Sequence, residues 1–514
     1  MRDLRFLSEC SMKKQIILLL LLTACAGRPA MVAPSLDYHN PIIGGFHPDP
    51  SICRVGEDYY IVNSSFQYFP GVPVYHSRDL AHWELIGNAL NRESQLPLQQ
   101  SGSWSGIYAT TLRYHDGLFY MVTTNTTIGK NFFVTAENPA GPWSEPVYLE
   151  QAGIDPSFLF EDGKCYFVSN PEGQITLCEI DPVTGKQLTP SRPIWNGMGG
   201  RFPEGPHIYK IKNWYYLLIS EGGTELAHSL TIARSRNPYG PYEACPHNPI
   251  LTHCSHAGEN NPIQGTGHGD LVQAPDGSWW VVFLAYRNFG GSYHHLGRET
   301  YLAPVTWEKG WPMVNGGAPI TSGTMPREEV TRTYAFDKPL GPEWIYIQNP
   351  DSSCYAITGG ELRLVGKGAL SANDHPTFVG VRQESEILET TVRVSLDAPG
   401  MAGLSLYQIQ DGHAELSLVR SREHVRATVH YTLKSMDYDA ASVQISGTSA
   451  WLKITSDGIQ YQFYVSEDGK QWLYLDAISS ALLSSEVVGG FTGIVLGLYA
   501  ENTVARFSSL CIKE

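Results

Sequence analysis

One alternation of apolar and polar positions recurs five times along the chain. Each copy is a short apolar strand, a polar turn and a second strand rich in aromatics. From Asp49 it reads "DPSICRVGEDYYIV" and turns at Gly56-Glu57-Asp58. From Ala109 it reads "ATTLRYHDGLFYMV" and turns at Asp116-Gly117. From Asp155, "DPSFLFEDGKCYFV" turns at Asp162-Gly163; from Glu204, "EGPHIYKIKNWYYLL" turns near Lys212-Asn213. From His268, "HGDLVQAPDGSWWVV" turns at Asp276-Gly277. Asp-Gly between apolar runs is a strong hairpin signal. More strand-like pieces follow each hairpin, such as "GVPVYHSRDL" and "HSLTIARS". A hairpin-rich unit repeated this way predicts an all-β, five-bladed β-propeller over residues 40–325. In a propeller the first strand of each blade lines the central channel. Equivalent leading positions then converge at one end of it: Asp49, Ala109, Asp155, Glu204 and His268.

The pattern changes after Thr324. The stretch "TMPREEVTRTYAFDKPLGPEW" reads as a link, and short alternating strands follow. Among them are "GELRLVG", "LETTVRVSL", "AGLSLYQIQ", "AELSLVR" and "RATVHYTL". They predict an antiparallel β-sandwich over residues 326–514. Plentiful glycine (50), proline (33) and tyrosine (28) suit such a turn-rich β protein with aromatic-lined clefts. The net charge of −15, with no basic patch, argues against a nucleic-acid partner. Oligomeric state is not legible.

At the other end, "MKKQIILLLLLTACAG" starts at Met12. Two lysines, an apolar run too short to span a bilayer and then small residues have the layout of a secretory signal. Leu22-Thr23-Ala24-Cys25 resembles a bacterial lipobox. That resemblance implies a leader over residues 1–24, a lipid on Cys25 and a tether over residues 25–39. The protein would then be exported and anchored to a bacterial membrane, facing the periplasm or the cell surface. The cysteines beyond Cys25 show no disulfide framework or zinc spacing. Cys165 and Cys178 face one another across an expected hairpin, and no disulfide is expected there.

Asp-Pro-Ser occurs at Asp49 and again at Asp155, each time before an apolar run. Proline disfavours the helical region for the residue before it, so both aspartates are expected to be extended. Carboxylates are seldom buried without partners. Three of them with a histidine at the mouth of a channel therefore point to a concave polar site. Two carboxyls flanking a sugar can hydrolyse a glycosidic bond, one donating a proton to the leaving oxygen and the other activating water. A third negative charge raises the acid's pKa by repulsion.

"GFHPDPSI", "GIDPSFLF", "FPEGPHIYK", "GTGHGDLV" and "LGRETYLAPVTW" resemble, in order, motifs of glycoside hydrolase family 43 over roughly Asn40 to Gly317. The resemblance implies an inverting mechanism, with Asp49 as general base, Glu204 as general acid and Asp155 as the residue that tunes and orients the acid. Inversion would set the two catalytic carboxyls roughly 6.5–9.5 Å apart. It also implies that Arg298 lies near the substrate and the base. His268 would lie on the channel axis, where some members hold a hydrated calcium ion; a histidine hydrogen-bonded in the core is the competing reading. No cofactor is otherwise required. Phe46, Tyr68, Trp104 and Tyr108 are the expected pocket walls.

The chain departs from the family at two walls. Gly106-Ile107-Tyr108-Ala109-Thr110 stands where many β-xylosidases carry Gly-Ile-Trp-Ala-Pro, and Tyr68 stands where tryptophan is common. The sandwich resembles the concanavalin-A-like domain of many members, either as an independent glycan-binding module or as a buttress lending a loop to the pocket. "GFTG" at Gly490–Gly493 resembles a segment that puts a phenylalanine into the pocket of related β-xylosidases, which nominates Phe491 and an exo mode. The expected protein is a hydrolase that removes terminal pentoses from plant cell-wall glycans, as an α-L-arabinofuranosidase, a β-D-xylosidase or both. A non-catalytic glycan-binding lipoprotein and a retaining furanosidase on the same propeller are the rivals.

Overall fold

The computed structural model describes residues 36 to 256 and 261 to 514. The leader and the Cys25 lipidation site lie outside the described residues. Five antiparallel sheets follow one another in chain order, each built from neighbouring strands of sequence. Their innermost strands are Ser51–Val55, Ile107–His115, Ile154–Glu161, Glu204–Ile211 and Ile263–Gln273. These strands pack side by side around a ring that closes from the fifth blade to the first. The chain is a five-bladed propeller followed by a β-sandwich. The hairpins form where the turn residues sit: Asp116-Gly117 and Asp162-Gly163 all have positive φ. Tight hairpins demand that conformation, and Asp and Gly tolerate it.

The segment before the first blade ties the ring together. Ile43 bridges Thr300 of the last blade, the Asn40 amide donates to the Leu302 carbonyl at 2.9 Å, and Tyr38 packs edge-on against Trp280. Leu36 and Tyr38, within the stretch expected to be tether, pack against the propeller.

Two sheets make the sandwich, one of eight strands and one of seven that a propeller strand extends to eight. Ser449–Asp457 shows the reason: every second residue is buried, so one face of the strand belongs to the core. Val392, Leu404, Leu416 and Leu452 are among the apolar side chains that fill the space between the sheets.

The two domains share a sheet and a core. Tyr68–Phe69, from the propeller, pairs with Ile345–Ile347 and so extends a sandwich sheet. Phe46, Phe66 and Tyr68 pack in one cluster with Ile345, Phe378, Tyr407 and Tyr499. This continuity favours the buttress over a free-standing module. Cys165 and Cys178 lie on adjacent strands, and both are free thiols.

Candidate active site

The carboxylates are aimed by breaks in the innermost strands. Ile154 pairs with Asn170 and Ser157 with Val168, so Asp155 and Pro156 form a β-bulge. Tyr108-Ala109 and Gly205-Pro206 form the same bulge in the second and fourth blades. Proline cannot donate to a strand ladder, and a bulge is one of the places where a sheet accepts it. Asp49 and Asp155 are not extended, as the following proline led us to expect. Both have φ 52°, and His268 has φ 44°. Aspartate visits the left-handed region more easily than most residues. At Asp155 the bulge overrides the pre-proline preference and turns the side chain into the channel, while Asp49 lies just before its strand, Ser51–Val55.

Register corrects a second expectation. Tyr108 and Gly205, rather than Ala109 and Glu204, align with Asp155. The five leading positions therefore do not share one level. Glu204 occupies the place of Ile154 and Ile107, one residue earlier. Gly205 fills the slot beside the axis, where a Cβ would lie 3.1 Å from the His268 ring. Glu204 keeps 19% of its side chain exposed, whereas Asp49 keeps 7%. The most accessible of the three acids is the one that reaches in from outside the bulge.

Asp49, Asp155, Glu204, His268 and Arg298 line one pocket of about 80 Å³ with Phe66, Tyr108, Thr224 and Phe491. Arg298 Nη1 lies 3.1 Å from an Asp49 oxygen and 3.1 Å from the Thr224 hydroxyl. Its Nη2 donates to the Phe491 carbonyl at 3.3 Å, so the sandwich reaches this arginine directly. Ser64 donates to the other Asp49 oxygen at 2.5 Å. Burial by itself would raise the Asp49 carboxyl. The Arg298 and His268 charges, the Ser64 hydrogen bond and His228 outweigh it and hold Asp49 below the usual aspartate value. Asp155 goes the other way. Burial, then the charges of Glu204 and Asp49, push it well up, although the Gly205 N–H donates to it at 3.0 Å. Burial keeps His268 below its ordinary value despite the Asp49 and Glu204 charges. Its Nδ1 lies 3.7 Å from Asp49.

Two expected walls lie elsewhere. Phe46 and Tyr68 are fully buried and do not line the pocket. Both rings pack behind Phe66, with Phe46 5.8 Å from Phe66 and 5.9 Å from Tyr68. Tyr68 starts the strand that joins the sandwich, which draws its ring into the interdomain core. Phe66, two residues earlier and with φ 47°, takes the wall position. Its ring stacks 6.1 Å from Phe491 and lies 5.3 Å from Tyr108. Trp104 is 46% exposed and lines an adjoining cavity of about 530 Å³, which shares Thr224, Arg298 and Phe491 with the catalytic pocket.

Sequence reasoning missed Phe66, Ser64, Thr224 and His228. His228 Nε2 sits 3.6 Å from Glu204, fully buried and without a hydrogen bond, while its Nδ1 bonds the Gly265 carbonyl at 3.0 Å. Gly267 makes room for it, since a Cβ there would lie 2.3 Å from the imidazole. The glycines of "GTGHGD" were the available signal.

The calcium expectation meets a donor set of one histidine and neutral hydroxyls. Ser157 and Thr110, in register on their blades, have buried hydroxyls without a partner. No group of three or more His, Cys, Asp or Glu side chains suited to a metal occurs among the described residues. The expectation is of a hydrated ion held through water, and the unpartnered Ser157 and Thr110 hydroxyls suit a water shell rather than direct ligation.

Three acids and an arginine in a small pocket at the axis of a propeller define a hydrolase of glycosidic bonds. The chain belongs to glycosyl hydrolases family 43, whose model matches residues 38–312, and the beta-xylosidase C-terminal concanavalin A-like domain matches residues 333–510. It is 43% identical over 486 residues to a non-reducing end alpha-L-arabinofuranosidase of Bacteroides ovatus, covering 90% of this chain and 91% of the relative. It is 39% identical over 509 residues to a xylosidase/arabinosidase of Butyrivibrio fibrisolvens, covering 92% and 97%. Among solved structures, the Bacteroides ovatus "Xyloglucan PUL GH43B" superposes with a TM-score of 0.88 at 40% identity, covering 93% of this chain and all of that one. A xylan beta-1,4-xylosidase from Bacillus halodurans gives 0.87 at 33% identity, covering 93% and 100%.

Proposed function

We propose that the protein is an exo-acting, inverting glycosidase that releases terminal pentoses, chiefly α-L-arabinofuranose and additionally β-D-xylopyranose, from plant cell-wall oligosaccharides. The observation that carries this reading is the contrast between two aspartates in a pocket of about 80 Å³, Asp49 with Arg298 at 3.1 Å and Asp155 crowded by Glu204 and Asp49, which pulls their carboxyls in opposite directions. Asp49, held ionised by Arg298 and Ser64, is the general base that takes a proton from the attacking water. Asp155 and Glu204 form a pair that carries one proton into the reaction. Glu204, the more exposed member, delivers it to the leaving oxygen. Asp155, which accepts from the Gly205 amide, orients the pair and keeps its proton bound. Arg298 places the base, and Phe66 and Phe491 wall the sugar.

The arabinofuranosidase preference rests on Tyr108 in place of tryptophan and on the Bacteroides ovatus relative. The test is hydrolysis of p-nitrophenyl α-L-arabinofuranoside beside the β-D-xylopyranoside, with the first product anomer followed by NMR. A product of retained configuration overturns inversion, and inactivity on both pentosides overturns the substrate class.

A lipid on Cys25 would place this activity at a membrane surface. The wild-type protein should partition with membranes and Cys25→Ala should be released. A wholly soluble wild type rules the anchor out.

A further inference from the structure

We propose that Trp104 is the platform for the leaving-group sugar and sets the preference for oligosaccharides, and that the Tyr108 hydroxyl holds it in place. The proposal rests on the pentosidase reading above. The released sugar occupies the small catalytic pocket, so the rest of the substrate lies outside it. The adjoining cavity of about 530 Å³ shares Thr224, Arg298 and Phe491 with that pocket and is where the substrate continues. Its volume falls within the roughly 300–1,000 Å³ usual for small-molecule sites. Trp104 stands on its wall with 46% of its surface exposed.

Packing alone does not call for so open a tryptophan, since tryptophans are highly buried on average. Yet Trp104 is held from three sides. Its carbonyl accepts from the Tyr108 hydroxyl at 3.0 Å. Its neighbour Ser103 donates to the Gln410 side chain of the sandwich at 3.2 Å and accepts from the Gln410 amide at 3.3 Å. The indole lies on Gly489 and Gly490, where an added Cβ would come within 3.0 and 2.8 Å of it. Phe491 meets the same ring edge-on at 6.1 Å. A ring fixed in advance and open to a cavity loses little freedom when a ligand stacks on it. Tryptophan offers an apolar body of large area, which suits the apolar face of a sugar ring. Ser292, Glu225 and Glu486 on the same walls offer partners for its hydroxyls. Tyr108 thus serves two sugars. Its ring walls the catalytic pocket, and its oxygen fixes the wall beyond. Contact with a remote sugar of this kind is expressed in kcat/KM.

The test sets a neutral oligosaccharide ending in the released pentose beside the fluoride of that pentose, which carries no leaving-group sugar. The pentose is α-L-arabinofuranose or β-D-xylopyranose, whichever fluoride the wild type hydrolyses. The quantity read is the ratio of kcat/KM on the oligosaccharide to kcat/KM on the fluoride, which does not depend on the fraction of folded enzyme. Trp104→Ala should lower the ratio at least tenfold, and Trp104→Phe, which keeps a ring, less than threefold. Tyr108→Phe removes one oxygen atom and should lower it at least threefold. Added to Trp104→Ala, Tyr108→Phe should lower it no further, because the hydroxyl acts through Trp104. If Trp104→Ala does not fold, Tyr108→Phe and Trp104→Phe decide by the same thresholds. A ratio unmoved by Trp104→Ala, or a Tyr108→Phe loss of equal size with and without Trp104, would overturn the proposal and leave the pentosidase reading standing. A wild type inactive on both fluorides would overturn that reading and the proposal with it.

Discussion

Asp49 and Asp155 share the tripeptide Asp-Pro-Ser, a left-handed φ of 52° and near-complete burial. Their surroundings differ. A guanidinium and a hydroxyl approach Asp49 at 3.1 and 2.5 Å, whereas Asp155 faces the charges of Glu204 and Asp49 with one backbone amide for support. One carboxyl is therefore held down and the other pushed up. The backbone device is the same, and the neighbours brought by other blades decide which proton chemistry it serves. Burial disfavours the charge on both; at Asp49 the Arg298 and His268 charges, the Ser64 hydrogen bond and His228 together reverse that.

The comparison breaks most sharply at the base itself. Asp49→Asn should reduce kcat/KM by ~10²–10⁴, or ~3–5 kcal/mol of barrier, for every leaving group. Steady-state rates on p-nitrophenyl and oligosaccharide substrates check this, and a loss confined to one substrate type would remove Asp49 from that role. Glu204→Gln should cost a similar factor on oligosaccharides and far less on p-nitrophenyl pentosides, whose leaving group needs little protonation. Equal losses would reassign the acid.

A subtler change tests the cation that separates the two aspartates. Arg298→Met removes the strongest attraction on Asp49, whose carboxyl should rise. The acidic limb of the kcat/KM profile should then climb by about one pH unit, the equivalent of 1.36 kcal/mol. An unmoved acidic limb would mean that Ser64 and His268 suffice. Conversely, Asp155→Asn removes a like charge from the pair, so the alkaline limb should move to lower pH while the acidic limb changes less. An unchanged alkaline limb with near-normal activity would make the second Asp-Pro-Ser architecture only.

The smallest effect is on stability. Because the folded Asp155 carboxyl is raised above 3.8, its contribution is fully present below that pH and is lost as pH climbs through the raised value. Wild type should therefore lose melting temperature across that window relative to Asp155→Asn. Parallel melting curves from about pH 4 to 8 would show it, and superposable slopes would falsify the shift.

Much of this was legible along the chain because it is local. Period-two alternation and Asp-Gly turns announce strands and hairpins wherever they occur, so the five blades and the sandwich could be read directly. The repeated Asp-Pro-Ser and the glycines around His268 marked the channel rim. Phe66 and Tyr68 show where that reading stops. The two are aromatic neighbours in "SSFQYFP", and nothing local says which ring meets the substrate. The strand pairing of Tyr68 with Ile347 and of Phe69 with Tyr346, more than 250 residues onward, settles it.

By itself, then, the sequence determined the strands, the turns, the blade count and the three acids, since backbone propensity and hairpin chemistry act over a few residues. Which side chains wall the pocket, and which aspartate carboxyl is pulled down and which pushed up, were decided by the tertiary structure alone. Burial and Coulomb interactions depend on neighbours in space, and here those neighbours come from other blades and from the second domain.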